Sequence, residues 1–334
     1  MPQASSNPGL RLPIIQSPTR VELEQRCHRR HLLSDLLLRE AYKSPSAAFG
    51  TVIHAGTNEW WQALEVEKKS GAEAYERMID VALTDYPEFL GQGKDYHTQE
   101  LTRKILHRYS QDAVISAGSP RGAWEILDME RRFTYKTAVS TMTFKLDRVL
   151  ANLKEGTLLI ADTKTSSRPD AKWAKGMTRS VQQRIYNYLA QQVYKMPVAE
   201  HWIEGIDKKG SVGAIHYEQI DALWTPAYVD EAFALAQKSA ENDEASIVAA
   251  YSSSKIVLTD EGLVPDDVEE ERLDQALLGY ASTKAPFNEQ DCYSYYVECP
   301  YRGVCDADPG DRVALLNDES NFTRGEPWQA EVEL

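Results

Sequence analysis

Apolar positions along this chain recur with a helical period first and a strand period later, and the change falls near residue 123. A helix start stands at Ser17-Pro18-Thr19-Arg20-Val21-Glu22, where Thr19 and Glu22 have capping-box spacing. That helix is expected to continue to about residue 38 with Cys27 inside it. Ser44-Pro45-Ser46 breaks the chain, and a second helix is predicted over 47–69. Gly50 and Gly56, poor helix formers on either side of His54, imply close packing against another backbone. Residues 71–118 read as mostly helical, with breaks near Asp85-Tyr86-Pro87 and Gly91-Gln92-Gly93.

From Trp124 the period becomes two, and strands are predicted over 123–135, 141–150 and 157–164. In the second, Met142, Phe144 and Leu146 alternate with Thr143, Lys145 and Asp147, which sends Asp147 away from the apolar side. The turn Asn152-Leu153-Lys154-Glu155-Gly156 makes the second and third strands a hairpin. A polar loop over 166–178 precedes a helix over 180–194, then strands near 201–206 and 212–220 and helices near 226–250 and 266–278. The fold class is α/β with a central mixed sheet and a helical N-terminal block.

Composition narrows the class of protein. With 42% hydrophobic and 26% charged residues the chain has the makings of a folded core, and no apolar run approaches the ~20 residues of a membrane span. The first residues lack the basic start and apolar segment of a secretory signal, so a cytoplasmic protein is expected. In that reducing compartment four cysteines suggest a metal site or inert thiols before disulfides. A net charge of −14 argues against a broadly basic nucleic-acid-binding surface and confines any such contact to a cleft that depends on metal.

The chemistry gathers around Thr157-Leu158-Leu159-Ile160-Ala161-Asp162-Thr163-Lys164. Asp162 and Lys164 share one face of an extended strand, and the hairpin brings Asp147 close enough to share a metal with Asp162. A carboxylate pair that collects a divalent ion, beside a lysine that steadies water, suits phosphodiester hydrolysis. The tripeptide alone is also an ordinary solvated charge pair, since Glu67-Lys69 and Asp207-Lys209 repeat it, but Asp207-Lys209 lacks a comparable preceding hairpin with an outward aspartate. His54 is a structural histidine or a ligand, and the basic run Arg26 to His31 is a solvated face or a phosphate contact. Gln182 and Tyr186 lie at i and i+4 on one helical face. Cys292, Cys299 and Cys305 lie within fourteen positions, and with Cys27 they would hold zinc or an iron-sulfur cluster, or stay unliganded. No G-x-x-x-x-G-K-[ST] phosphate loop is present, so nothing indicates an attached motor.

In order, Ser17-Pro18-Thr19 leading to Cys27, Gly50-Thr51-Val52-Ile53-His54, Leu146-Asp147-Arg148-Val149, Ile160-Ala161-Asp162-Thr163-Lys164-Thr165, Gln182-Gln183-Arg184-Ile185-Tyr186 and Cys299-Pro300-Tyr301 resemble the PD-(D/E)XK nucleases. Within them the likeness is to the RecB-like branch that includes CRISPR-associated iron-sulfur exonucleases. The resemblance implies a restriction-endonuclease-like core with a cysteine clasp joining the termini. It divides the chain into a mobile arm (1–16), a helical region (17–122), the nuclease core (123–287), the clasp (288–310) and an acidic tail (311–334). By it His54, Asp147 and Asp162 are metal ligands with the Thr163 carbonyl, Asp147, Asp162 and Lys164 are catalytic, and Gln182 and Tyr186 meet DNA. Cys27, Cys292, Cys299 and Cys305 would hold one [4Fe-4S] cluster, with Zn2+ as the alternative. Six residues between Cys292 and Cys299 depart from the two usual in the family.

The implied activity is Mg2+- or Mn2+-dependent DNA cleavage, an exonuclease on single-stranded ends in recombination, repair or replication, leaving 5'-phosphate and 3'-hydroxyl ends. A helicase or recombination partner would act in trans, and no membrane is involved. Two other readings stand beside it. One is a non-catalytic DNA-binding or assembly protein on the same fold, and the other a zinc-stapled regulatory protein, for which the −14 charge speaks.

Overall fold

The computed structural model describes residues 15–37, 39–41, 44–93, 96–117, 124–137, 140–177, 179–208, 215–219, 226–256, 270–285, 299–318, 320, 322–324 and 332–333. The chain forms two compact units that do not follow chain order. One takes Lys43–Phe133 and Phe144–Asp230, the other Met1–Tyr42, Thr134–Thr143 and Glu231–Leu334.

The first unit is organised on a five-stranded sheet in the order Trp124–Met129, Arg148–Asn152, Thr157–Ser166, Val198–Asp207, Ile215–Gln219. Only Thr157–Ser166 and Val198–Asp207 run parallel, which makes the sheet mixed. In the central strand Leu158, Leu159, Ile160 and Ala161 are all buried, as a continuous apolar run requires when both faces of a strand are covered. The predicted hairpin forms in register, Arg148 opposite Ala161 and Asn152 opposite Thr157. Its turn closes because the Asn152 side-chain oxygen accepts the Glu155 N–H at 3.2 Å and Gly156 takes φ +67°. The parallel crossover is carried by the helix Val181–Tyr194, capped by Ser180 and stopped by Lys195 in the left-handed conformation.

The helix Pro45–Trp61 starts at Ser44, whose hydroxyl accepts the Ala47 N–H at 3.2 Å, with Pro45 in its first turn. It buries Phe49, Val52, Ile53 and Trp60 on one stripe and widens into a π-turn over Gln62–Val66, where the expectation had a straight helix to residue 69. A Cβ on Gly56 would sit 2.9 Å from Leu106 Cδ1, and one on Gly50 2.9 Å from Thr165 Oγ1. Close packing at both glycines is therefore present, against side chains rather than backbone.

Two strands predicted as continuous are each broken. The 123–135 segment splits at Glu130, which takes φ 54°, into Trp124–Met129 and Arg132–Lys136. The 141–150 segment splits at Leu146 and Asp147, and only Arg148–Asn152 joins the five-stranded sheet. The breaks hold each other, since the Glu130 N–H lies 3.1 Å from both the Leu146 and the Asp147 carbonyl oxygens.

In the second unit the first helix, Pro18–Arg26, is capped by the Ser17 hydroxyl on the Arg20 N–H at 3.3 Å, so Ser17 rather than Thr19 starts it. Cys27 does not lie inside a helix. Its extended backbone, φ −154° and ψ 104°, ends Pro18–Arg26, and the chain resumes as His28–His31 and a π-turn Leu32–Leu36. Leu33, Leu278, Tyr301, Val304 and Leu316 form the local core, with Tyr301 stacked on Phe322 at 5.2 Å. Arg39–Ala41 pairs antiparallel with Phe322–Arg324, joining segments from near the two chain ends. Ile15–Gln16 pairs parallel with Thr141 and Met142, so the segment expected as a mobile arm ends in a short strand, and residues 1–14 lie outside the described residues. Helices Pro226–Ser253 and Glu270–Thr283 stand near the predicted positions. Among the described residues no helix is long and apolar enough to cross a membrane.

Candidate metal centre and active site

The break at Leu146 and Asp147 aims a carboxylate at the helix Pro45–Trp61. His54 Nε2 lies 2.9 Å from Asp147 Oδ2 and 3.7 Å from Glu130 Oε1. One ligand atom each from His54, Glu130 and Asp147 falls within 4.8 Å of the others, and among the described residues this is the group of His, Cys, Asp and Glu side chains so gathered. One imidazole nitrogen and two carboxylates suit Mn2+ or Mg2+. Glu130 is also ion-paired with Lys145.

Asp147 is buried, and its Oδ2 accepts the Thr163 N–H at 2.7 Å. Burial pushes its carboxyl up, but the hydrogen bond and charge of His54, with Lys164 and the Thr163 N–H, hold it well below the usual range. Burial likewise lowers His54, and Asp147, Glu130 and Asp162 together raise it above its ordinary value. A metal-free site therefore holds an imidazolium on a carboxylate, and a cation would displace that proton. Asn58 Nδ2 lies 3.1 Å from His54 Nδ1, while Asn58 Oδ1 is buried without a partner. Turning that amide over would let Oδ1 accept from Nδ1–H and leave Nε2 to a metal.

Asp162 stands apart from this group. Its Oδ2 meets Lys164 Nζ at 2.7 Å and accepts from Gln183 Nε2 at 2.9 Å. Burial pushes its carboxyl up, Asp147 adds to that, and Lys164 and Gln183 offset only part. For Lys164, burial is outweighed by Asp162 and Asp147, so its pKa is raised and the amine stays an ammonium. In this state Lys164 is a donor of charge and hydrogen bonds rather than a base.

The shared face of Gln182 and Tyr186 is real, with Gln182 Nε2 donating to the Tyr186 hydroxyl at 3.1 Å. Burial raises the Tyr186 pKa, so the phenol stays neutral. Behind the site the Thr163 hydroxyl donates to Glu204 at 3.2 Å, and Glu204 pairs with Arg148 in full burial.

The hairpin pattern brings Asp147, Asp162 and Lys164 together, the family resemblance adds His54 and Thr163, and neither gives a role to Glu130, Gln183 or Asn58. Glu130 falls in the middle of the strand predicted over 123–135, although the run Asp128-Met129-Glu130-Arg131-Arg132 interrupts the alternation there. Gln183 adjoins Gln182 and lies three residues before Tyr186, a helical neighbour on the side facing Asp162.

In the second unit Cys27, Cys299 and Cys305 are free thiols, each partly buried. Burial raises the Cys299 thiol, a backbone hydrogen bond at Tyr301 and the charge of Arg30 oppose it, and Cys27 and Cys305 add to the rise. Cys292 lies outside the described residues, as does Lys209.

A family model, the PD-(D/E)XK nuclease superfamily, matches residues 16–306. No curated protein gives a significant match.

Proposed function

This chain belongs to the PD-(D/E)XK nuclease superfamily, and we propose that it is a metal-dependent DNA exonuclease of the RecB-like branch acting on single-stranded ends. The observation that carries the reading is the convergence of His54, Glu130 and Asp147 beside the Asp162–Lys164 pair. A binding module has no evident need for that set.

His54 and Asp147, with Glu130, would hold the ion, and Asp162 and the Thr163 carbonyl complete its shell. When bound, Mg2+ or Mn2+ neutralises the phosphate, acidifies water and stabilises the departing 3'-oxygen. Lys164 aims the attacking water and balances the charge of Asp162, which its raised pKa suits. Gln183 holds Asp162, and the Gln182–Tyr186 pair contacts DNA. The products carry 5'-phosphate and 3'-hydroxyl ends. Since the sequence has no G-x-x-x-x-G-K-[ST] phosphate loop, a helicase or recombination partner would supply the strand in trans.

Cys27, Cys299 and Cys305, with Cys292, would hold a [4Fe-4S] cluster as a structural clasp, zinc being the alternative. Three free, partly buried thiols in one unit fit that set.

Digestion of end-labelled linear and closed circular single strands, with and without Mg2+ or Mn2+, tests the reading. Metal-dependent loss of the linear strand alone is expected. Equal cutting of circles would remove the exonuclease choice, and no cutting in any metal would remove the nuclease.

A further inference from the structure

Strand register pairs Glu204 with Thr163, the residue between Asp162 and Lys164, so both side chains lie on the sheet face turned away from those two. Glu204 is buried, and a single one of its oxygens, Oε2, takes three donors. The Thr163 hydroxyl donates to it at 3.2 Å, the Tyr109 hydroxyl at 3.3 Å, and Arg148 Nη2 completes the set as an ion pair. A buried ion pair seldom gains stability over apolar side chains of similar volume, so stability alone does not account for this one.

The three donors share where their chains lead. Thr163 turns its N–H to Asp147 Oδ2 at 2.7 Å while its side chain is anchored behind the sheet. Arg148 follows Asp147 directly and opens the ladder, opposite Ala161, that Asp147 stays outside. On the strand side Asp147 is therefore held by its chain neighbour and by one peptide N–H, with no ladder bonds of its own. Tyr109, on the helix Gln99–Ala117, accepts the Trp61 Nε1–H at 2.6 Å, and Trp61 is the last residue of the helix that carries His54. The Arg148 guanidinium lies 4.8 Å from the centroid of that same Trp61 ring. The segments that carry His54, Asp147 and Thr163 thus all reach one carboxylate oxygen, the first of them through Tyr109.

We propose that Glu204 is the positioning residue of the metal centre. It touches neither ion nor strand. It fixes the Thr163 peptide and the Asp147 carboxylate from behind, so the ligand atoms keep their spacing before an ion arrives. The inference rests on the metal-centre reading above and deepens it.

Two double variants test it, because they remove both buried charges together and differ in one acceptor. Arg148→Met with Glu204→Gln leaves an amide oxygen for the Thr163 and Tyr109 hydroxyls, whereas Arg148→Met with Glu204→Leu leaves none. Each is compared with wild type by Mn2+ calorimetry, single-turnover cleavage and urea unfolding. The Glu204→Leu double variant should bind Mn2+ roughly tenfold more weakly, the scale for a lost outer-shell partner, and kcat should fall with it. KM for the strand should stay within about twofold, since both residues lie on the sheet face away from Lys164. The Glu204→Gln double variant should recover most of the affinity and of kcat. Lower stability with wild-type Mn2+ affinity in the folded protein would make Glu204 a plain structural residue and overturn the proposal. Equal Mn2+ binding in the two double variants, or a change confined to KM, overturns it as well. Should the Glu204→Leu double variant fail to fold, Tyr109→Phe decides. It deletes one donor to Glu204 and should cost roughly threefold in Mn2+ affinity, so an unchanged titration overturns the proposal. A wild type that binds no Mn2+ removes the metal-centre reading itself, whereas equally tight binding by wild type and the Glu204→Leu double variant removes this inference alone.

Discussion

Gln183 donates a 2.9 Å hydrogen bond to the same oxygen of Asp162 that Lys164 meets at 2.7 Å. The carboxylate is thereby held from two sides, and Gln183 is fully buried with its own Oε1 unpartnered. Gln183→Leu should lower kcat about tenfold while changing stability by only about 1 kcal/mol, because the lost bond is partly offset by removing an unsatisfied oxygen. Urea unfolding alongside single-turnover cleavage separates the two, and an unchanged kcat would leave Gln183 without a part in the site.

Asp162→Ala and Lys164→Ala should each reduce cleavage by roughly a hundredfold or more without unfolding the protein. Full activity in either purified variant would sink the assignment of that residue.

Glu130→Gln and His54→Ala should each weaken Mn2+ binding, read by calorimetry. Asn58→Leu should weaken it by about tenfold through loss of the imidazole's partner. A titration unchanged in Glu130→Gln would return that residue to its ion pair with Lys145.

His201 is buried, and burial, with the charge of Lys164, depresses its pKa to about 3. The unfolded chain therefore binds a proton more readily than the folded one between the ordinary histidine value of about 6.5 and that lower value. Stability from this residue is fully present above about pH 6.5 and is lost as the pH falls. Between pH 6.5 and 5 wild type should lose roughly 2 kcal/mol more than His201→Gln in urea unfolding. Parallel slopes in the two proteins would contradict it.

Anaerobically purified protein should be brown with about four irons per chain, and Cys27→Ala should bleach it and lower its melting temperature. One zinc and no iron would replace the cluster but keep the clasp. Free alkylation of every thiol in the native protein would remove both.

Much of the site was legible because it depends on local pattern. The run Leu158 to Ala161 is apolar at every position, the Asn152 to Gly156 turn carries its own chemistry, and Gln182 and Tyr186 sit one helical turn apart. What was not legible depends on contacts between distant segments. Nothing near Phe144 and Leu146 in sequence announces that the strand must stop, since the stop is enforced by the Glu130 N–H from another strand. Cys27 sits among residues that favour a helix, and its extended backbone is set by tertiary context rather than by propensity. Glu130 joined the site only because φ 54° turns the chain back at that residue.

The interleaving of the two units sets a timetable for synthesis. Every segment of the metal-binding unit has been made once Asp230 leaves the ribosome, whereas the unit with the thiols needs Glu231–Leu334 to meet Met1–Tyr42. The nascent chain therefore holds its first segment unsatisfied while the catalytic sheet assembles around the Thr134–Thr143 loop-out. A chain cut after residue 230 would keep His54, Glu130 and Asp147 and would lose Cys299 and Cys305 from the unit that holds Cys27.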